Sequence, residues 1–523
     1  MFVFYLGLLN SLQIEYNYIF NITIDFYYYT ALVRVQQMNL IDESVKLERE
    51  EFVAGHNGTT AREILAIISV GPGLVLLHAL FSNLVANKSL KARYAYDFTL
   101  LVLPLIFLIT IFSNFIFHIA LFLYSFSGFV VVKHLKSSTS VKCNILLLPV
   151  SSHRIPLISS MIYLVHVLTM ISILAVDFKV FPRKFAKTES FGCSLMDLGV
   201  GVFVFVNGLI STQARNSENN FKSKKIFLSA FSSSLPLIIL GLLRFASIYS
   251  TGYQQHISEY GVHWNFFFTL AVVKIFSSVF VCFFAVTSKT VFAYNLVLMS
   301  VYQCVLSFQD QSLTKLILSN DKRDNIFLQN KEGLSSSFGF LCIYFMGVSF
   351  GILVFKKKQV LQDWISVLKN LFLYCLVSWL AYYLCKLYVQ DTSRRIANAT
   401  YVLWIVSQCT FLMALFLTVD ILIVYLSQKS KLKVLNIWCV SKINENKDNT
   451  KLFLTNFSLK SAINRNQLFL FLLSNVLTGF VNFSVDTINT SDATSVLILI
   501  TYCAVVLSVT CLLHTKRKTI KFW

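Results

Sequence analysis

Long apolar runs separated by short charged connections dominate this chain of 523 residues. A membrane hydrocarbon core about 30 Å thick needs about 20 consecutive apolar residues per helix, and roughly a dozen runs reach that length. Only 13% of the residues are charged and 56% are hydrophobic, whereas soluble domains have about 25% charged residues. The sequence therefore predicts an all-α, polytopic integral membrane protein with about 13 transmembrane helices.

Charged clusters delimit the predicted membrane spans. The predicted spans are 64–86, 96–113, 114–133, 157–177, 194–212, 225–248, 264–286, 288–308, 335–355, 364–388, 400–427, 466–484 and 493–514. The run from 97 to 132 is divided into two spans because of its length, and its strongest break is Ser113–Asn114.

Basic residues are concentrated in every second connection, which orients the predicted spans. The basic connections contain Lys88, Lys91, Arg93, Lys133, Lys136, Lys142, Lys222, Lys224, Lys225, Lys356, Lys357 and Lys358, and the C-terminus adds Lys516, Arg517, Lys518 and Lys521. The connections 249–262 and 485–492 are neutral or acidic. Cytoplasmic loops retain Lys and Arg, so we expect a lumenal N-terminus and a cytoplasmic C-terminus. This topology explains the net charge of +20 without a nucleic-acid partner.

One connection departs from this alternation. Residues 179–189 are strongly basic, yet they fall on the predicted lumenal side. Binding of an anionic group would give a local reason for the exception.

Polar residues inside membrane spans are costly, and here they cluster toward the predicted lumenal ends. They are Asp177, Asp197, Arg244, His263, Asn265, Asn475, Gly479, Asn482 and Asp486, and the last four have the spacing of one helix face. A single Asn or Gly stripe more often serves helix packing, and a lone His at a span end is usually interfacial. The coincidence of two carboxylates, a basic loop and a His on one side favours a polar site.

The cysteines and one short motif give weaker indications of function. The 11 cysteines include no C-x-x-C pair and mostly lie in apolar runs, so we expect no metal or redox site. The string Gly347-Val-Ser349-Phe-Gly351 matches a nucleophile elbow, which requires a strand-to-helix turn. Because this copy lies inside a predicted span, its glycines are better interpreted as a close-packing pair.

Several motifs together resemble one family. They are Glu51-Phe-Val-x-x-x-Asn57-Gly-Thr, Phe181-Pro-Arg-Lys-Phe-Ala-Lys-Thr-Glu-Ser-Phe-Gly192, Met196-Asp-Leu-Gly-Val-Gly201, Gly252-Tyr-Gln, Glu259-Tyr-Gly-Val-His-Trp-Asn-Phe-Phe-Phe-Thr269, Ser393-Arg-Arg-x-Ala-Asn398, Asn464-Arg-x-Gln-Leu and Phe471-Leu-Leu-Ser-Asn475. In this order and spacing they resemble the glucosaminyl-phosphatidylinositol inositol acyltransferases, the PIG-W family. The resemblance covers 48–523, which we interpret as a single multi-spanning domain, with 1–47 as an N-terminal extension outside the fold.

The resemblance implies a multi-pass enzyme of the endoplasmic reticulum membrane with a lumenal-side active site. It would transfer a fatty acyl chain, typically palmitoyl, from acyl-CoA to an inositol hydroxyl of glucosaminyl-phosphatidylinositol. Its partners would be these two substrates and membrane lipids, with acyl-CoA as co-substrate and no cofactor. In the family, an Asp and a Lys ten residues apart are the catalytic candidates, here Asp177 and Lys187.

These roles agree with the chemistry of the residues. A carboxylate at a membrane edge can act as a general base on the hydroxyl, and an ammonium can stabilise the oxyanion. Arg183 and Lys184 suit the lipid phosphate, and His263 is the second candidate for the base. The other polar residues of the spans, from Asp197 to Asp486, are expected to line the substrate site.

Two functions of other classes remain open at this stage. A lipid or solute transporter would also have many spans with charges and glycines, but we find no internal repeat between 64–286 and 288–514. A non-catalytic subunit of a complex that makes the glycolipid anchor would explain the fold but not the basic lumenal connection. Acyl-CoA-dependent acylation would distinguish the three.

Overall fold

A computed structural model provides the fold. It describes residues 52, 55–85, 88–136, 145–150, 155–215, 223–251, 257–283, 286–319, 323–429 and 458–520. The proposed N-terminal extension 1–47 lies outside the described residues, as do Lys142, Lys222 and Lys521.

The described residues form long helices joined by short connections. We number them α1 (Ala61–Leu80), α2 (Leu90–Leu101), α3 (Leu103–Leu108), α4 (Ile116–Lys136), α5 (Pro156–Ala175), α6 (Leu195–Leu209), α7 (Ser223–Thr251), α8 (Phe266–Phe283), α9 (Ser288–Leu318), α10 (Lys331–Phe355), α11 (Leu361–Tyr388), α12 (Ala399–Lys429), α13 (Gln467–Ser484) and α14 (Asp492–Thr515). Shorter helices cover Ser82–Leu84, Ile145–Leu147, Arg183–Phe185, Thr212–Arg215, Ile257–Tyr260, Ile326–Gln329 and Leu459–Arg465. Within the described residues the only β pairings are two isolated bridges, so the all-α class is confirmed.

Each predicted span coincides with a helix or a helix pair. Nine helices of the described part are long and apolar enough to cross a membrane, and three more, within α6, α7 and α8, are apolar but shorter. The predicted span 96–113 is the pair α2–α3, interrupted at Val102, and Pro104 near the start of α3 lacks a backbone donor. Ser113–Asn114 lies in the turn before α4, as expected.

The long helix α12 lies at the centre of the bundle. It packs against α1, α5, α6, α10 and α11, and its Tyr401, Trp404 and Phe416 are fully buried. In contrast, α4 and α11 expose rows of large apolar side chains, among them Phe117, Leu121, Phe122, Phe129, Phe372, Leu376 and Leu380. Such apolar surfaces suit contact with lipid.

Close glycine contacts join α6 to α10. A Cβ on Gly347 would collide with the carbonyl oxygen of Phe205, and one on Gly351 would collide with that of Leu209. From the other side, a Cβ on Gly208 would meet the Tyr344 carbonyl oxygen. The interpretation of Gly347 and Gly351 as a packing pair is therefore confirmed.

Connections assigned to the same side of the membrane contact one another. The Thr59 amide donates to the Cys193 carbonyl, and the Gly192 amide donates to the Thr392 carbonyl at 2.8 Å. On the opposite side, Val150 donates to the Gln359 carbonyl at 3.1 Å. The grouping of connections predicted from charge is thus present in the fold, and the lumenal or cytoplasmic assignment of each side stays a prediction.

Candidate active site

The connection between α5 and α6, residues 176–194, folds into a compact arch over the end of the bundle. Arg183–Phe185 forms a single 3₁₀ turn, and Cys193 bridges to Thr59. Gly192 has φ +129 and packs against the Asn57 backbone, where a side chain would both strain the chain and collide. The arch places the motif residues of this segment beside those preceding α1.

Asp177 lies two residues past the end of α5 and is joined to α13. The Asn482 side-chain amide donates to Asp177 Oδ2 at 2.8 Å. The convergence of these two residues, expected from their predicted side, is therefore present. The Oδ1 atom of Asn482 is buried and has no hydrogen-bond partner among the described residues. Gly479, one turn earlier, faces open space.

Arg183 lies beside this pair. Its Nη2 donates to the carbonyls of Val176, Phe178 and Phe181 at 2.8, 3.0 and 3.0 Å. Its other terminal nitrogen, Nη1, is buried without a partner in the described part of the chain. Burial lowers the pKa of Arg183 to about 10, and the nearby Asp177 charge opposes that shift, so the guanidinium stays charged near neutral pH.

The two lysines of the arch pair with carboxylates from other elements. Lys184 Nζ lies 2.7 Å from Glu63 Oε1, at the start of α1. Lys187 Nζ donates to both oxygens of Glu259, at 2.9 and 2.8 Å. The family resemblance pairs Lys187 with Asp177 as catalytic candidates, but these hydrogen bonds direct the Lys187 ammonium to Glu259. The catalytic roles of Asp177 and Lys187 stay predictions.

These ion pairs within the protein explain why basic residues occur in this connection. Glu63 and Glu259 supply negative charges that match two of its lysines. Its exception to the charge rule therefore does not by itself require a bound anion. The stronger argument for a ligand is the buried Arg183 donor that has no partner among the described residues.

Asp197 is fully buried and saturated by hydrogen bonds. It accepts from the Thr188 amide and hydroxyl at 3.1 and 2.7 Å, and from Arg394 Nε at 2.6 Å. The Tyr401 hydroxyl donates to its carbonyl at 2.8 Å. These contacts tie the arch to the start of α12, so Asp197 holds the frame of the site.

The remaining predicted residues are spread around this centre. Asn265 is buried and donates to the Gly241 carbonyl, whereas the His263 side chain is exposed beside Phe245. Arg244 is exposed, and its charge acts on Glu259.

The polar residues on one face of α13 have different hydrogen-bond partners. The Asn475 amide donates to its own helix at the Phe471 carbonyl, at 2.7 Å. Asp486 is exposed and accepts from Asn489 at 3.0 Å. Of these residues, only Asn482 is joined by a described hydrogen bond to another candidate residue.

Sequence reasoning did not select Glu259 or Arg394 as site residues. Both were visible only as members of motifs that carry the family resemblance, because each lies on a connection far along the chain from its partner. No group of three or more His, Cys, Asp or Glu side chains in the described part of the chain is placed to hold a metal ion.

Known proteins match this sequence over almost the whole chain. The family model GWT1 matches residues 45–513. The bovine glucosaminyl-phosphatidylinositol-acyltransferase PIGW is 32% identical over 513 residues, covering 92% of this chain and 100% of that protein. The human protein of the same name is 31% identical over 509 residues, with the same coverage. The GPI-anchored wall transfer protein 1 of Candida albicans is 32% identical over 506 residues, covering 88% of this chain and 96% of that protein.

Proposed function

The chain belongs to the GWT1 family, and on that premise we propose that it is the acyltransferase that acylates inositol in GPI-anchor biosynthesis. Its acceptor is glucosaminyl-phosphatidylinositol, as the names of its bovine and human relatives support. The donor in this proposal is acyl-CoA, with palmitoyl as the acyl chain and no further cofactor. The enzyme is a multi-pass membrane protein, and its proposed location is the endoplasmic reticulum.

The reaction forms one ester bond and breaks one thioester bond. The inositol oxygen attacks the thioester carbon, and the hydroxyl proton passes to the Asp177 carboxylate as general base. Collapse of the intermediate releases the CoA thiolate, which takes the proton back from Asp177. The proton and the acyl group are both conserved, so no covalent acyl-enzyme is required.

Positive charge beside the thioester carbonyl stabilises the oxyanion that develops on its oxygen. Lys187 supplies this charge in the proposal. The Asn482 amide donates to one oxygen of Asp177 and so helps to fix the orientation of the carboxylate. The lipid phosphate binds Arg183 Nη1, whose position is fixed by the three carbonyls that hold Nη2.

The single observation that carries the proposal is the meeting of Asp177, Asn482 and Arg183 at one end of the bundle. A carboxylate lies here beside a buried amide oxygen and a buried guanidinium nitrogen that have no partners among the described residues. Buried polar atoms are normally satisfied. A polyhydroxylated phospholipid headgroup supplies both the donors and the acceptors that would satisfy these atoms.

The test is acylation by the purified protein in defined liposomes. With glucosaminyl-phosphatidylinositol and palmitoyl-CoA, we expect release of CoA thiol and a lipid product heavier by one palmitoyl group. Lys386→Met, which removes an exposed pair with Asp391, is the control for a charge change at the same end of the bundle. Lipid movement across the bilayer without acylation would overturn the proposal in favour of a transporter. Activity that requires an added protein would instead identify a non-catalytic subunit.

A further inference from the structure

A chain of alternating charges runs from the Lys187 ammonium into the interior. Both oxygens of Glu259 accept from Lys187, and the Glu259 and Lys187 side chains are only 24% and 31% exposed. Arg394 acts electrostatically on Glu259 from the interior side. The Arg394 Nε in turn donates to the fully buried Asp197 at 2.6 Å.

This series of charged side chains joins three connections that are distant in sequence. Lys187 belongs to the arch, Glu259 to the short helix Ile257–Tyr260 between α7 and α8, and Arg394 to the connection before α12. Tyr260 also lies under the Arg394 guanidinium, with 5.9 Å between the guanidinium carbon and the ring centroid. The position of the lysine therefore depends on the α7–α8 connection as well as on its own loop.

Glu259 is poorly suited to remove a proton. Burial alone would raise the pKa of its carboxyl, but the charges of Lys187, Arg394 and Arg244 and the Lys187 hydrogen bonds outweigh burial and lower the pKa to about 2. A base this weak takes up few protons near neutral pH. Orientation of its lysine partner is the role that its geometry allows.

We propose that Glu259 is a positioning residue for acyl transfer, which fixes the Lys187 ammonium at the oxyanion and is itself held by the Arg394–Asp197 pair. The inference rests on the proposed function. It adds the α7–α8 connection to the parts of the molecule that determine the rate of the chemical step. Arg244, whose charge also acts on Glu259, strengthens the hold on the carboxylate from the exposed side.

The test compares Glu259→Gln with the wild-type protein in the liposome assay, with rates normalised to correctly inserted protein. Glutamine keeps the shape but not the charge, so Lys187 loses its fixed position. We expect kcat to fall by about 10²-fold, the typical cost of a misplaced catalytic group. The KM values for both substrates should stay near wild type, because the interaction strengthens only in the transition state.

The split between kcat and KM separates positioning from mere stability. Loss of stability alone would reduce the amount of inserted protein, whereas a misplaced ammonium lowers kcat in the inserted fraction. Glu259→Asp, which restores the charge, should recover part of the lost kcat. Because the two residues act as a unit, Lys187→Met/Glu259→Gln should be no slower than Lys187→Met alone.

Glu332→Gln is the structural control. Glu332 is a fully buried carboxylate paired with Arg323 and Arg395, outside the proposed catalytic chain. Its substitution should reduce the amount of inserted protein while kcat and both KM values of the inserted fraction stay at wild type. If Glu259→Gln behaves in the same way, or if its effect adds fully to that of Lys187→Met, the inference is wrong.

Two further outcomes are decisive. If Glu259→Gln does not insert, Glu259→Asp alone still tests the inference, since its shorter side chain should lower kcat at unchanged KM, and a wild-type kcat would overturn the proposal. Absence of acylation by the wild-type protein would overturn the proposed function itself. That result is distinct from an active wild type with an indifferent Glu259.

Discussion

Asp177 owes its position to two different elements. It follows the last turn of α5, and Asn482 from α13 binds one of its oxygens at 2.8 Å. A general base, the role proposed for Asp177, must keep its orientation during the reaction. The amide of Asn482 helps to fix that orientation, because it donates a hydrogen bond and adds no charge.

Substitution of Asp177 by Asn should abolish most of the activity without unfolding the protein. Asn has the same shape and costs less to bury than a charge, and loss of a general base typically lowers rates by ~10²–10⁴. Turnover per inserted molecule measures the effect. Asp492→Asn, an exposed carboxylate in the first turn of α14, is the matched control and should turn over normally. If Asp177→Asn is active and His263→Ala is dead, His263 is the base.

Arg183 and Lys184 should differ in their effects on lipid binding. Arg183→Lys keeps the charge but loses the planar fork that holds three carbonyls and presents Nη1, so the KM for glucosaminyl-phosphatidylinositol should rise. Lys184 is already matched by Glu63, and Lys184→Met should raise that KM less. The KM for acyl-CoA should stay nearly unchanged in both. A shift confined to the acyl-CoA KM would assign the arch to the CoA phosphates.

The sequence predicts some of these contacts and not others. Asp177 and Asn482 were expected on the same side of the membrane because both lie near the predicted lumenal ends of their spans. The structure joins them by a hydrogen bond. Glu259 and Lys187 are separated by 72 positions and lie on two connections. No local periodicity relates such residues, so their pairing depends on how the connections fold over the helix ends.

At the scale of elements, α6 and α10 show how small residues determine a helix interface. Gly208, Gly347 and Gly351 remove side chains where the two backbones meet. Inside a membrane, apolar burial adds little to helix association, so close packing has to supply the attraction. The arch preceding α6 is therefore attached to a rigid pair.

Gly347→Ala should destabilise the bundle. Its methyl group would collide with the Phe205 carbonyl, a backbone atom that cannot turn aside, and such overpacking typically costs about 1–3 kcal/mol. A lower unfolding temperature in detergent is the expected readout. Gly128→Ala in α4 is the control, since a Cβ there meets nothing within 4 Å. Equal stability of the two variants would contradict this account of the α6–α10 interface.

Helix positions follow closely from the apolar runs, but helix lengths do not. The break at Val102 between α2 and α3 was not expected, because the run around it is apolar throughout. Likewise, α9 continues to Leu318, about ten residues past the predicted span end at 308. Hydropathy marks where lipid is tolerated. The break instead coincides with Pro104, which lacks a backbone donor, and the extension of α9 contacts the connection before α12, where Gln390 donates to Thr314.

At the scale of the whole molecule, one end of the bundle is closed by its own connections. The Glu189 amide donates to the His56 carbonyl at 3.2 Å, and Val262 donates to the Gln329 carbonyl at 2.8 Å. Connections from the beginning and the middle of the chain, together with Asn482 from α13, thus build the surroundings of Asp177 and Lys187. A site made in this way requires the complete set of helices, which agrees with relatives that match over nearly the full length.

Which compartment this end faces is the last prediction. Retention of basic connections in the cytoplasm predicts a cytosolic C-terminus and a lumenal α7–α8 connection. In sealed microsomes, a membrane-impermeant maleimide should label Lys516→Cys, an exposed residue after α14, without detergent. Asn489→Cys, exposed between α13 and α14, should react only after permeabilisation. A C-terminal tag should likewise be digested by added protease. The reverse pattern would place Asp177 and Lys187 in the cytosol, where acyl-CoA would reach them without crossing the membrane.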